Sequence, residues 1–157
     1  MMVMVKKMTR LTLQPSKVIE VIKDVLGTPT LGVSFMLNPV PASRPRVSKW
    51  GTYYGKTYSA WRKAAMELIK EHDDTIEAHC TVLVEQILEK PKTSKKNFPR
   101  GDVDNYAKAP TDILTAKKFW ADDDLITGLW TSKRFAEAGE EPRTEVTIYV
   151  HKTTDKD

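Results

Sequence analysis

Apolar residues recur at helical spacing between residues 16 and 26 (SKVIEVIKDVL), where Val18, Ile22 and Val25 share one stripe and Ile19, Val21 and Leu26 lie beside it. Ser16 and Gly27 are the residue types that open and close helices, so the pattern predicts a short amphipathic helix. Residues 32–37 (GVSFML) form a brief apolar run that halts at Asn38 and Pro39, which reads as a strand. The segment after it, PVPASRPRVSKWGTYYGK, holds three prolines and two glycines and predicts a loop or irregular hairpin. Helical spacing returns over 58–71, with Tyr58, Trp61, Ala65, Leu68 and Ile69 on one face.

Residues 79–89 alternate instead. Cys80, Val82, Val84, Gln86 and Leu88 fall on one side, Thr81, Leu83, Glu85 and Ile87 on the other. Both sides are largely apolar, the mark of a strand covered on both faces. A helix is expected over 106–117 and further strands over 125–133 and 144–151, the last alternating Thr144, Val146, Ile148 and Val150. Strands interleaved with helices predict an α/β fold with a mixed sheet of the α+β kind, flanked by two main helices. Residues 1–31, with their amphipathic helix, read as an N-terminal extension to a single compact domain over 32–157. The pattern leaves the order of strands in the sheet open.

Composition narrows the class. With 157 residues, 40% apolar and 29% charged, the chain matches an ordinary globular domain with a core of its own. No apolar run approaches the roughly 20 residues of a membrane span, and the start, MMVMVKKMTRLTL, lacks the apolar region of a signal peptide. Cys80 is the single cysteine, which excludes an intrachain disulfide and suits a reducing cytoplasm. His72, His79 and His151 are scattered without zinc-ligand spacing and read as surface or satisfied histidines. The net charge of +4 tilts toward polyanions, and its distribution says more. Arg44, Arg46, Lys49, Lys56, Arg62 and Lys63 form one stretch without an acid; Lys90, Lys92, Lys95, Lys96 and Arg100 form another.

Directly after the second basic stretch stands RGDVDNYAKAPTDILTAKKFWADDD, with Asp102 and Asp104 at one end and Asp122, Asp123 and Asp124 at the other. In an extended chain Asp102 and Asp104 share a face while Val103 points inward. Pro110 is expected in the first turn of the following helix, where its missing N–H costs little, so that helix is expected to begin near residue 107. Asp104, Lys108 and Asp112 then form one line, four residues apart, opposite a buried face of Tyr106, Ala109, Pro110, Ile113 and Leu114. The second acidic group follows the turn Phe119-Trp120-Ala121 and leads into a strand that can return it beside an earlier element. Carboxylates within ~5 Å of one another raise each other's pKa unless a cation intervenes. Mg²⁺, a hard ion that takes carboxylate and water oxygens, is the natural one. The required glycine of a calcium-binding EF-hand loop is absent. Plainer readings exist: a helix cap for the Asp-x-Asp, a solvated turn for the three aspartates, and an ion pair with Asp104 or Asp112 for Lys108.

The stretches D-V-D-N-Y-A-K-A-P-T-D-I-L, F-W-A-D-D-D-L-I and S-K-R, with P-x-P-x-S-R-P-R and a Gly-x-x-Tyr upstream, resemble the RusA family of Holliday junction resolvases, common in phages and prophages. The family pattern is roughly D-x-D-N-x-x-K-x-x-x-D-x-L, then W-x-D-D-x-x-V/I, then a later lysine, and the resemblance spans residues 32–150. It implies catalytic, metal-holding Asp102, Asp104 and Asp123, with Asp122 or Asp124 able to share or replace the third. It further implies an essential Lys108, supporting roles for Asn105 and Asp112, and a strand lysine at Lys133. The enzyme so implied nicks two opposing strands of a four-way DNA junction with Mg²⁺ (Mn²⁺ able to substitute). It works as a homodimer without a nucleotide cofactor, in the cytoplasm of a bacterium or phage-infected host.

DNA contacts are then expected from Arg44 and Arg46 in their proline-stiffened loop, from Lys49, Lys56 and Lys133, and from an arm carrying Lys92, Lys95, Lys96 and Arg100. Trp50, Tyr53 and Tyr54 are candidates to stack on unpaired bases. Tyr58 and Trp61 fit the core instead. Three rivals remain. One is a nucleic-acid-binding protein whose acids only cap a helix, and another a Mg²⁺-dependent nuclease of other branched DNA. The third, a transferase using Asp-x-Asp, lacks the glycine-rich nucleotide loop it needs.

Overall fold

The computed structural model describes residue 4 and residues 13–152. Helix α1 spans Pro15–Leu26, strand β1 Leu31–Phe35, and the short strands β2 and β3 Arg46–Ser48 and Gly51–Tyr53. Helix α2 spans Lys56–Leu68, strand β4 Cys80–Leu88 and helix α3 Val103–Ala116. A single 3₁₀ turn, Asp123–Leu125, leads into β5, Ile126–Phe135, and the chain returns as β6, Arg143–Val150.

Four strands make one mixed sheet in the order β1-β6-β4-β5, and β2 pairs with β3 as a separate hairpin. β4 and β5 are parallel, joined through α3, whereas β6 runs antiparallel to both β1 and β4. β4 is the central rib, buried along nearly its whole length, because α2 and α3 cover one face of the sheet and α1 lies on the other. On the first face Val82, Val84, Val146, Ile148 and Phe35 meet Trp61 and Ala65 of α2 and Ala109, Ile113 and Leu114 of α3, with Trp120 at the end. Each of the larger aliphatic side chains buried there contributes about 1.5–3 kcal/mol. On the second face Leu83 and Tyr149 receive Ile19, and Lys23 pairs with Glu85 at 3.1 Å. Among the described residues no helix is long and apolar enough to cross a membrane.

Two local expectations fail for identifiable reasons. Ser16 does not cap α1. Pro15 already occupies the first turn, where a missing N–H is harmless, so Gln14 takes the cap position without a side-chain bond. Gly27 closes the helix as expected, with φ of 82°. The larger departure concerns α3, which begins at Val103 rather than near 107 and carries Pro110 in its interior. A proline there strips the Tyr106 carbonyl of its helical donor. Gln86 supplies the substitute: its Nε2 donates to the Tyr106 carbonyl at 2.7 Å, and its Oε1 accepts from Thr144 Oγ1 at 2.5 Å. Gln86 is 1% exposed and Thr144 0%, so this pair forms a closed polar rung inside an apolar core. Because the helix starts early, Asp102 takes the N-cap position, Asp104 lies in the first turn, and Val103 faces outward instead of into the protein.

Candidate active site

The chain entering α3 is fastened carbonyl by carbonyl. Lys133 Nζ donates to the Pro99 carbonyl at 2.6 Å and also to that of Gly101. The Tyr106 hydroxyl donates to the carbonyl between them, that of Arg100, at 2.9 Å. Gly101 adopts φ of 100°, and a Cβ there would stand 2.9 Å from the Tyr106 ring, so only glycine fits. Burial pushes the Tyr106 phenol above its ordinary pKa, which keeps it a donor. Lys133, expected to reach DNA, therefore has its ammonium turned to the protein's own backbone.

Along α3 the line Asp104, Lys108, Asp112 forms as the spacing predicts, and Lys108 Nζ pairs with Asp112 Oδ2 at 3.3 Å. The opposite face, Tyr106, Ala109, Pro110, Ile113 and Leu114, is buried, also as predicted. The 3₁₀ turn packs against α3 and brings the second acidic group with it. Its three aspartates differ. Asp122 is committed to its own turn: its Oδ1 accepts from the Asp124 backbone N–H at 2.9 Å, and that bond holds its pKa below the usual carboxylate range. Asp123 is pushed the other way, first by its hydrogen bond with Asp122, then by desolvation and by the charges of Asp122 and Asp112, against the pull of Lys108. Asp123 is thus the aspartate whose field overlaps the Lys108–Asp112 level of α3. Asp104 lies one turn earlier, about 6 Å along the axis, and Asp102 lies at the helix mouth.

The donor set is all carboxylate oxygen, without a thiol or imidazole, and suits a hard divalent ion. Among the described residues no three acidic, histidine or cysteine side chains stand grouped for one ion. Mg²⁺ does not require such a group, since it is commonly held by one or two carboxylates together with water and substrate phosphate. The raised pKa of Asp123 marks where carboxylates crowd one another.

One wall of the site comes from far away in sequence. The Ala42 N–H donates to the Asn105 carbonyl at 2.9 Å, and the Gly55 N–H to Ser43 Oγ at 3.2 Å, tying the loop of 39–45 to α3 and to the hairpin. A cavity of about 420 Å³ results, in which Arg44, Ser43 and Tyr54 face Asn105, Lys108 and Asp112. Tyr58 closes its floor, its phenol pushed up by burial and next by the Asp112 charge. This approach of Arg44 to Lys108 has no signature in the sequence.

Of the other expected contacts, Trp50 is 86% exposed at the tip of the hairpin, with Lys49 Nζ 5.0 Å from its ring centre. Tyr54 stands edge-on to Tyr58 and beneath the Arg62 guanidinium. Lys56 is exposed at the start of α2, as are Lys92, Lys95, Lys96 and Arg100. Lys95, Lys96 and Arg100 rim a second cavity, of about 650 Å³, floored by Leu88, Tyr106 and Phe135. Tyr58 and Trp61 are core residues, as expected. The side chains of Arg46 and Tyr53 lie outside the described residues.

A family model described as endodeoxyribonuclease RusA matches residues 37–149, from the end of β1 through nearly all of β6. No curated protein matches the sequence. The match covers well over half of the chain, which therefore belongs to the RusA family of Holliday junction resolving endonucleases.

Proposed function

We propose that the protein resolves four-way DNA junctions by Mg²⁺-dependent hydrolysis of one phosphodiester in each of two opposing strands. Asp102, Asp104 and Asp123 would hold the ion, with Asp122 or Asp124 as the alternative third ligand. Once bound, the ion supplies an acidified water and charge stabilisation at the phosphate. The remaining work falls to the chain's own residues. Lys108, held extended by Asp112, orients the scissile phosphate and offsets charge as it develops. Arg44 meets the same strand from the opposite wall of the cavity. Asn105 joins that wall to α3 through its carbonyl. Exposed Trp50 and Tyr54, with Lys49, Lys56 and the arm of Lys92, Lys95, Lys96 and Arg100, take the flanking DNA.

Paired nicks need two sites, so the working form is a homodimer whose two-fold axis matches that of the junction. Mn²⁺ substitutes for Mg²⁺, and no nucleotide cofactor takes part. The setting is the cytoplasm of a bacterium or phage-infected cell, with residues 1–31 an extension to the nuclease domain of 32–157. The observation that supports this reading most is Asp123, a carboxyl raised by its neighbours and within the fields of Lys108 and Asp112, which themselves line a cavity with Arg44. A labelled four-way junction and a linear duplex, each with and without Mg²⁺, test it alongside Asp104→Asn. Symmetric, Mg²⁺-dependent nicks in the junction alone are expected, abolished in the variant while binding persists. Equal cutting of the duplex would indicate a general nuclease, and binding without cutting a non-catalytic DNA-binding protein.

A further inference from the structure

We infer that Lys133 is a positioning residue, which together with Tyr106 locks the carbonyls of Pro99, Arg100 and Gly101 and thereby aims the aspartates at the mouth of α3. The inference rests on the nuclease reading for its consequence, though not for its geometry. Three consecutive carbonyls are engaged, two by one ammonium and the third by a buried phenol. Among the described residues the backbone of 97–101 has no other hydrogen-bond partner within the chain. Without these bonds the segment just before Asp102 is a loop with a glycine in a left-handed conformation and nothing to hold it.

The anchor is rigid at its other end. Lys133 lies in β5 directly opposite Gln86 of β4, which in turn lies opposite Thr144 of β6. Lys133 and Gln86 are thus adjacent rungs of one sheet, and both reach the same short stretch: Gln86 takes the Tyr106 carbonyl, Lys133 those of residues 99 and 101. A strand places a side chain more reproducibly than a loop, and a reactive constellation needs that support. The chemistry of lysine suits the task, since an ammonium has three donors and no acceptor and so can hold two carbonyls at once. An ammonium held in this way has two of its three donors committed to carbonyls, which leaves little for a phosphate.

Lys133→Met keeps the length and removes the donors; Lys133→Arg keeps the charge; Tyr106→Phe removes only the bond to Arg100. Amide hydrogen exchange of residues 106–109, the first hydrogen-bonded amides of α3, is measured on the full chain without DNA. Mn²⁺ affinity follows from electron paramagnetic resonance, and junction affinity from a salt series. In Lys133→Met, the helix start frays, so exchange at 106–109 is expected to quicken and Mn²⁺ affinity to fall about 10- to 100-fold, the usual effect of losing an outer support of metal-bearing residues. Junction affinity and its salt slope stay unchanged. Lys133→Arg restores part of the Mn²⁺ affinity, and Tyr106→Phe quickens exchange in the same segment. Unchanged exchange and Mn²⁺ affinity in Lys133→Met, with a salt slope reduced by about one, would make Lys133 a phosphate contact and overturn the inference. If the wild type cuts no DNA, the nuclease reading fails, and the exchange and Mn²⁺ measurements still decide the role of Lys133. If Lys133→Met does not fold, the Arg and Phe variants carry the test, and unchanged exchange in both refutes it.

Discussion

Replacing Gln86 by leucine removes the amide that stands in for the N–H missing from Pro110. Two groups lose their partner: the Tyr106 carbonyl, bonded at 2.7 Å, and the Thr144 hydroxyl, bonded at 2.5 Å. Each sits away from water, where an orphaned polar group costs about 1–3 kcal/mol. Leucine is close to glutamine in volume, so no large cavity is added. The single variant should therefore lose roughly 2–6 kcal/mol, a large share of the 5–15 kcal/mol by which a domain is typically stable. Pro110→Ala gives α3 back its backbone donor, which can meet the Tyr106 carbonyl itself. In that background Gln86→Leu leaves only Thr144 stranded, so its cost should shrink by about 1–3 kcal/mol. The Thr144 penalty occurs in both backgrounds and cancels in a double-mutant cycle, which isolates the carbonyl. Urea unfolding of the four proteins, with equal slopes to confirm an unaltered unfolded state, measures the coupling. Additivity within about 0.5 kcal/mol would refute the claim that Gln86 is what permits a proline inside this helix.

The raised carboxyl of Asp123 has a sign that can be read by pH. A folded-state pKa above the unfolded one means the fold holds that proton more tightly, so its contribution is present at low pH and is lost as pH rises through the raised value. Without metal, Asp123→Asn should melt slightly above wild type at neutral pH, the gap closing in acid and also when Mg²⁺ stabilises the wild type. A variant that melts lower at neutral pH removes Asp123 as the strained member of the group. Glu140 behaves oppositely. Its hydrogen bonds from Arg134, at 2.5 and 2.7 Å, hold its pKa at about 2, so its stabilisation is present above its ordinary 4.5 and is lost as pH falls toward 2. Glu140→Gln should flatten that acid limb in denaturant titrations, and an unaltered limb would place the acid sensitivity elsewhere.

What the sequence made legible were the features enforced by periodicity. The double-sided alternation of residues 80–88 can hardly be anything but a central strand, and it is one. The apolar face of α3 and the 104–108–112 line follow from 3.6 residues per turn, whatever the exact start of the helix. The start itself was misread because the rule for proline is local, whereas its remedy is a glutamine on another element. The bonds of Lys133 are hidden for a similar reason. An alternating strand gives no sign that a lysine will find carbonyls in a loop more than thirty residues earlier. The approach of Arg44 to Lys108 and the order of the strands depend equally on pairings between distant segments, to which composition and spacing are blind.

The acidic residues of the site are not strained alike, and the difference bears on what a cation would accomplish. Asp104 lies in the first turn of α3, where the helix dipole favours a negative side chain, and Asp102 stands at the cap of the same terminus. Asp122 spends its carboxylate on the backbone of the 3₁₀ turn and is held below its usual range. Asp112 has Lys108. Asp122 and Asp112 thus have a protein group to answer them, while Asp104 and Asp102, whose side chain makes no cap bond, have only the field of the helix end. Asp123 has least: its closest companion is Asp122, with the Asp112 charge beyond, and the one opposing cation, Lys108, is already shared with Asp112. In the proposed site an ion would therefore gain most from Asp123, since Asp102 and Asp104 lie in the favourable field of the helix end. Such a division would let the fold carry its acidic residues without the proposed metal and would still leave a charge for that metal to neutralise.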